Sequence, residues 1–176
     1  PTLKLLDGII NIYLPDLKYA SNEVARKISH IKNYAGHSRA AVLEMFRQVG
    51  PLTRGPDGLA RSGLLVRHLL LPEGLAGTWE TLCFIAIEMS PKVPVSLMSQ
   101  YRPVHRAVGD PVLGRRITRE EYDHALQRAR ELGLETLYVQ DLEEDLHNLP
   151  DFANGETPFP LDGVNLLGSH CGFSNI

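Results

Sequence analysis

The sequence predicts an α/β fold with parallel strands, and three observations predict it. Short apolar runs rich in β-branched residues alternate along the chain with segments of helical period. Those runs are almost continuously apolar, which suits strands covered on both faces. Capping residues, glycines and prolines punctuate the alternation at the spacing of βα units. Connections of this kind are right-handed. The expected product is a curved or barrel-like sheet wrapped by helices.

The first strand is expected within Gly8–Leu14, and Pro15 ends it because proline lacks a ladder donor. Ser21 is placed to cap a helix with Val24, Ile28 and Ile31 on one face. A second helix is expected from about Ser38, with Val42, Met45, Phe46 and Val49 as its stripe and Gly50-Pro51 as its stop. Residues 51–62 carry the turn residues Gly55-Pro56-Asp57-Gly58 and read as a loop. Leu64–Leu71 is the second strand, closed by Pro72-Glu73-Gly74. Thr78 is placed to cap a helix bearing Leu82, Ile85, Ala86 and Met89. Val93–Met98 is the third strand. Thr118-Arg-Glu-Glu121 has the spacing of a capping box. The helix it opens carries Tyr122, Ala125, Leu126, Ala129 and Leu132, with Gly133 as its stop. Thr136–Val139 is the fourth strand. The pattern decays from Asp141, so 1–140 is expected to form the ordered unit and 141–176 an irregular extension, with 161–176 a peripheral tail.

Composition narrows the function classes. Of 176 residues, 43% are hydrophobic and 22% charged, which excludes wholesale disorder. The balance of 18 basic against 21 acidic residues gives no global pull on nucleic acid or an anionic membrane. No run approaches the roughly 18 apolar residues of a membrane span, and no signal peptide is visible. Cys83 and Cys171 cannot build a disulfide framework or a four-thiolate site. A reducing cytoplasm is the expected compartment. The chain opens on Pro1 and runs at once into Leu5–Leu14, so a fragment lacking an amino-terminal part is expected, with processing as the alternative.

Parallel sheets of this kind carry their sites at the carboxyl ends of the strands. Three polar clusters fall there. Asp16 and Lys18 are two apart and point to one side of an extended chain. Together they suit a zwitterion, the carboxylate accepting from an amine and the ammonium meeting a carboxylate. The alternative is an ion pair of little energetic consequence. Arg67-His68 sits inside an apolar strand. Arg67 requires an anionic partner, and only one of the two neighbours can face a site. For His68 a core histidine bonded to a carbonyl is the stronger reading; for Arg67 function and structure weigh equally. Ser99-Gln-Tyr-Arg-Pro103 follows the third strand with hydroxyl, amide, phenol and guanidinium groups suited to a polar ligand; a solvated loop is the alternative. His105, His124, His147 and His170 lack metal-ligand spacing. Cys83 falls within a helix and is expected to be a small buried hydrophobe. Gly109–Gly114 lacks the features of a phosphate loop, Arg115-Arg116 is too short for a nucleic-acid patch, and no nucleophile elbow is present.

At these clusters the sequence resembles radical S-adenosylmethionine proteins, and among them the pyruvate formate-lyase activating enzymes. The stretches are Ile12–Tyr19, Val66–Pro72 and Met98–Pro103, in that order, supported by Glu44–Gly50 and Ile117–Tyr122. The resemblance covers about residues 5–140. It implies the C-terminal half of a partial (βα) TIM-like barrel with parallel strands. Asp16 and Lys18 match the family's Asp-x-Lys element and are expected to help hold S-adenosylmethionine. Arg67 matches the arginine of the Arg-aromatic-aliphatic-Pro strand, and His68 takes the aromatic place. Tyr101 and Arg102 match the Tyr-His step, with arginine standing where the family tends to have histidine. Leu97 and Met98 are placed by strand position to pack on the adenine.

The resemblance further implies a 4Fe-4S cluster held by a Cys-x-x-x-Cys-x-x-Cys loop. One electron from it cleaves S-adenosylmethionine to a 5′-deoxyadenosyl radical, which abstracts hydrogen from a substrate. The implied partners are a glycyl-radical enzyme as protein substrate and an electron donor such as flavodoxin or ferredoxin; neither nucleic acid nor membrane is expected. Cys83 and Cys171 cannot replace the loop, so this chain alone is expected to be inactive, with the cluster ligands upstream. Its first strand is expected to expose an unpaired edge at Gly8–Leu14. Two other readings remain open on the residues. One is a small aldolase-like enzyme with Lys18 as Schiff base. The other is a non-catalytic interaction module using the sheet edge or the acidic segment Asp141–Asp145.

Overall fold

The computed structural model describes residues 2–140, residue 142 and the backbone of residues 174–175. The expected irregular extension therefore lies largely outside the described residues, as does Cys171. In chain order the elements are β1 (Ile12–Tyr13), α1 (Asn22–Ser29), α2 (Tyr34–Val49), β2 (Thr53–Arg54), β3 (Ala60–Leu64), β4 (Val66–Leu69), α3 (Thr78–Cys83), β5 (Val95–Met98), α4 (Arg119–Glu131), β6 (Leu137–Val139) and β7 (Ser174–Asn175). Short 3₁₀ turns occupy Thr2–Leu6, Pro72–Gly74 and His105–Ala107. No helix among the described residues is long and apolar enough to cross a membrane.

The architecture is mixed α/β, built on parallel pairing. β1 runs parallel to β3, β4 to β5 and β5 to β6, while β7 returns antiparallel to β6. β3 and β4 are one extended run broken only at Leu65. The same register carries through the break: Ile12 faces Gly63, Tyr13 faces Leu64 and Asp16 faces Arg67. Backbone bonds from Leu65 N to Tyr13 O (3.0 Å), Arg67 N to Pro15 O (2.9 Å) and Leu17 N to Arg67 O (2.9 Å) stitch it together. The sheet is open among the described residues, with β1 at its edge.

Alternation along the strands assigns the two faces. Val66, His68, Val95, Leu97, Leu137 and Val139 point to the helices and are no more than 4% exposed. They pack with Tyr13, Leu17 and Leu64, with Val42 of α2, with Leu82 of α3, and with Tyr122, Ala125, Leu126 and Ala129 of α4. The second face carries Ile12, Leu14, Asp16 and Lys18, then Arg67 and Leu69, then Ser96 and Met98, then Tyr138.

The local signals act as their chemistry requires at several ends. Ser21 Oγ accepts from Glu23 N (3.1 Å) and Val24 N (3.4 Å). Thr118 and Glu121 form the reciprocal capping box. Gly50 N closes α2 on Phe46 O at 2.8 Å. Gly133 takes the left-handed conformation (φ +70) just past α4.

Other expectations are corrected. The first strand is shorter than Gly8–Leu14, because residues 2–9 coil into a 3₁₀ turn and a bend before it. Residues 53–64 are an antiparallel hairpin, not a loop. Its Gly63 could not carry a side chain: a Cβ there would lie 2.4 Å from Leu52 Cα and from Pro51 O. α2 begins at Tyr34, four residues before Ser38. Ile31 lies past the end of α1 and is exposed. Thr78 does not cap α3. Gly77 occupies that place without a side-chain bond, and α3 continues as a π-helical stretch over Phe84–Met89.

Candidate functional site

The carboxyl ends of β1, β4 and β5 bring most of the expected site residues together. The register places Asp16 directly beside Arg67. Asp16 Oδ1 accepts from Arg67 Nε at 2.7 Å, and Asp16 Oδ2 pairs with Lys18 Nζ at 3.2 Å. Arg67 thus finds an anionic partner 51 positions away, although its side chain is exposed and burial does not demand one. One carboxylate between two cations leaves the trio with one net positive charge. All three side chains are partly exposed, so their pairing contributes little to stability.

Arg67 and His68 turn to opposite faces, as neighbours in a strand must. His68 is a core residue. Its Nδ1 lies 2.6 Å from Leu17 O and its Nε2 3.0 Å from Thr78 Oγ1. Burial pushes the imidazole down to about 4, against a smaller opposing effect of the Leu17 carbonyl. The neutral ring therefore donates to Leu17 O and accepts from the Thr78 hydroxyl, tying the end of β1 to the start of α3 through β4.

Tyr34 is a site residue that the sequence did not announce. Its hydroxyl donates to Asp16 O (3.2 Å) and accepts from Lys18 N (2.8 Å). It thereby fixes the backbone that presents the carboxylate and the ammonium. Burial raises the phenol, which keeps its proton for the first of these bonds. Tyr34 also meets Tyr19 edge-on, with ring centroids 5.4 Å apart.

The loop after β5 is pinned from within. Tyr101 Oη donates to Leu113 O at 2.8 Å, and burial raises this phenol as well. Asp110 Oδ1 accepts from Leu113 N (2.8 Å) and Val112 N (2.9 Å), which lowers its carboxyl below the ordinary range. Gln140, past β6, accepts from Ser99 N at 3.1 Å and donates to Gln100 Oε1 at 3.1 Å.

Between this loop and the end of β1 lies a cleft of about 230 Å³. Lys18, Tyr19, Leu69, Tyr101 and Arg102 line it, along with further apolar side chains. Arg102 Nη2 is buried and has no hydrogen-bond partner among the described residues.

Not every expected site residue joins this region. Leu97 is fully buried on the helix face, beside His68 and Val139. It is removed from any adenine on the second face by the alternation that puts Met98 there. Ser99 likewise points to the helices, with Oγ buried and without a partner among the described residues. Cys83 is a half-buried free thiol at the end of α3, not fully enclosed as expected. Among the described residues no three His, Cys, Asp or Glu side chains converge as metal ligands.

No family model matches the chain, and no solved structure matches it. Among curated proteins it is similar to the uncharacterized protein MJ0674 of Methanocaldococcus jannaschii. The two are 28% identical over 136 residues, which is 77% of this chain and 36% of that protein. The aligned stretch therefore spans about a third of the length of this relative.

Proposed function

We propose that the chain is the carboxyl-terminal part of a radical S-adenosylmethionine enzyme of the pyruvate formate-lyase activating type. On this reading its parallel sheet is the later half of a partial (βα) barrel. The observation that carries the proposal is the trio Asp16, Lys18 and Arg67, gathered at the strand ends of an α/β sheet and anchored by Tyr34.

The trio suits the amino-acid end of S-adenosylmethionine. Lys18 is half-exposed and can turn from Asp16 to a ligand carboxylate, and Asp16 then has an oxygen for an ammonium or ribose hydroxyl. Arg67 holds the carboxylate in place from the neighbouring strand. Met98 supplies apolar surface on the same face, and the cleft lined by Tyr101 and Arg102 lies beside it. When bound, the cofactor supplies the adenosyl group for hydrogen abstraction. The described residues do not fit an iron–sulfur cluster, since Cys83 stands without companion thiolates at ligand distance. No step through a cluster is assigned to them. In the proposal the cluster ligands, the electron donor (flavodoxin or ferredoxin) and any glycyl-radical partner belong to the longer enzyme. Schiff-base chemistry at Lys18 fits less well, because a paired and half-exposed ammonium is not desolvated.

Equilibrium dialysis against labelled S-adenosylmethionine tests the reading. Binding is expected, and Asp16→Asn and Lys18→Gln should each weaken it by about tenfold or more, the worth of one charged hydrogen bond. Affinity unchanged in both variants, or no binding by the parent protein, would overturn the assignment.

A further inference from the structure

We propose that the cleft beside Arg102 binds the carboxylate of a second small molecule with a short apolar body, held alongside S-adenosylmethionine as substrate. The inference rests on the radical reading for the role of that molecule; the binding site itself stands on the cleft.

Three features of the cleft converge. Its lining carries Arg102 and Lys18 and no carboxylate, and Lys18 is already paired with Asp16 at 3.2 Å, so Arg102 is the cation of the lining left for an anion. Arg102 Nη2 is buried without a hydrogen-bond partner among the described residues, an arrangement that costs free energy until an anion arrives. The remaining lining is mostly apolar or phenolic, with Tyr19, Leu69, Tyr101 and Leu113 around the guanidinium. Such a surface accepts an anion that carries hydrocarbon, not a fully hydrated ion.

Size separates this ligand from the cofactor. A cleft of about 230 Å³ is below the roughly 300–1,000 Å³ of pockets that enclose drug-sized ligands. It takes a short carboxylic acid and is too small to enclose a whole nucleoside derivative. Its walls are also fixed in advance. The Tyr101–Leu113 bond and the Asp110 contacts hold the loop that presents Arg102, so little ordering accompanies binding.

Hexanoate, inorganic phosphate and S-adenosylmethionine are the probes, titrated into the protein by calorimetry and by amide NMR. Hexanoate is expected to bind and to shift resonances of residues 18–19 and 101–113. It should bind equally well when S-adenosylmethionine is saturating. Arg102→Met should abolish hexanoate binding and leave the midpoint of urea unfolding unchanged or higher, because Nη2 of this partly exposed side chain makes no hydrogen bond to the described residues. An arginine with a merely structural role would lower that midpoint. Arg102→Lys should recover part of the affinity. Four outcomes overturn the inference: no hexanoate binding, phosphate binding as tightly as hexanoate, binding unchanged in Arg102→Met, or competition between hexanoate and S-adenosylmethionine. The last would give the cleft to the cofactor and leave the radical reading intact. Hexanoate binding without S-adenosylmethionine binding would remove the radical reading alone.

Discussion

Burial holds the His68 imidazole at about 4, whereas in the unfolded chain it titrates near 6.5. Between those values the unfolded state takes up a proton that the folded state refuses. Stability therefore falls as pH drops from about 6.5 to about 4, and this contribution levels off below. The full difference is about 3 kcal/mol. Urea unfolding at pH 7 and pH 4.5 should show the loss, and His68→Gln, which can still donate to the Leu17 carbonyl, should show much less of it. Equal losses in both proteins would refute the assignment. Glu121, drawn down to about 2 chiefly by Arg115, adds a loss of the same sign only below about 4.5. At this scale the sequence was readable where one rule acts alone. Arg67 and His68 are neighbours in a strand, so when His68 faces the core Arg67 must face away from it. The anionic partner was not readable, because Asp16 meets Arg67 only through a register set by the whole sheet. Nor was the unpaired nitrogen of Arg102, which depends on what fails to approach it.

Glu121 is also the point where two elements are joined. It completes the capping box of α4, accepts from Glu73 N at 2.7 Å and takes both arms of Arg115 at 2.8 Å. Thr118→Ala removes one cap acceptor and should cost about 1 kcal/mol. Glu121→Ala should cost more, since it also frees the turn at Pro72–Gly74. The double variant should fall short of the sum, because the two residues share one motif. Additive losses in chemical denaturation would show that the cap and the turn are independent. Elements with a cap and an apolar stripe were legible for the same reason: α1 and α4 declare both. The start of α2 is not legible because Asn33, at its N-cap, makes no side-chain cap bond, and the first turn lacks apolar period. The hairpin over 53–64 is not legible because Thr53, Arg54, Ala60 and Arg61 are exposed and carry no alternation of polarity.

Across the whole molecule, the order of strands and helices was legible, since each buried strand is a near-continuous apolar run. The polar cluster at the strand ends was legible as a location, and less so as a list, because parity assigned Leu97 to the core and Met98 to the second face. β1 is the edge of the described sheet, and Leu14 beside it is 53% exposed, as are Leu5 and Ile9 to greater degrees. Such an edge is prone to pair with another chain. Sedimentation velocity over a concentration series should show self-association, and Leu14→Lys should suppress it. A parent protein that stays monomeric throughout would count against this.

Tyr34 sets how far such growth can run. Its hydroxyl already occupies the outward carbonyl of Asp16 and the outward amide of Lys18, the two groups that an added strand would claim after Leu14 and the amide of Asp16. A neighbouring strand can zip along Ile12–Leu14 and is then stopped like a fastener meeting its end-pin. The mouth above Asp16 stays clear of backbone, so the edge can be sealed without closing the door to a ligand.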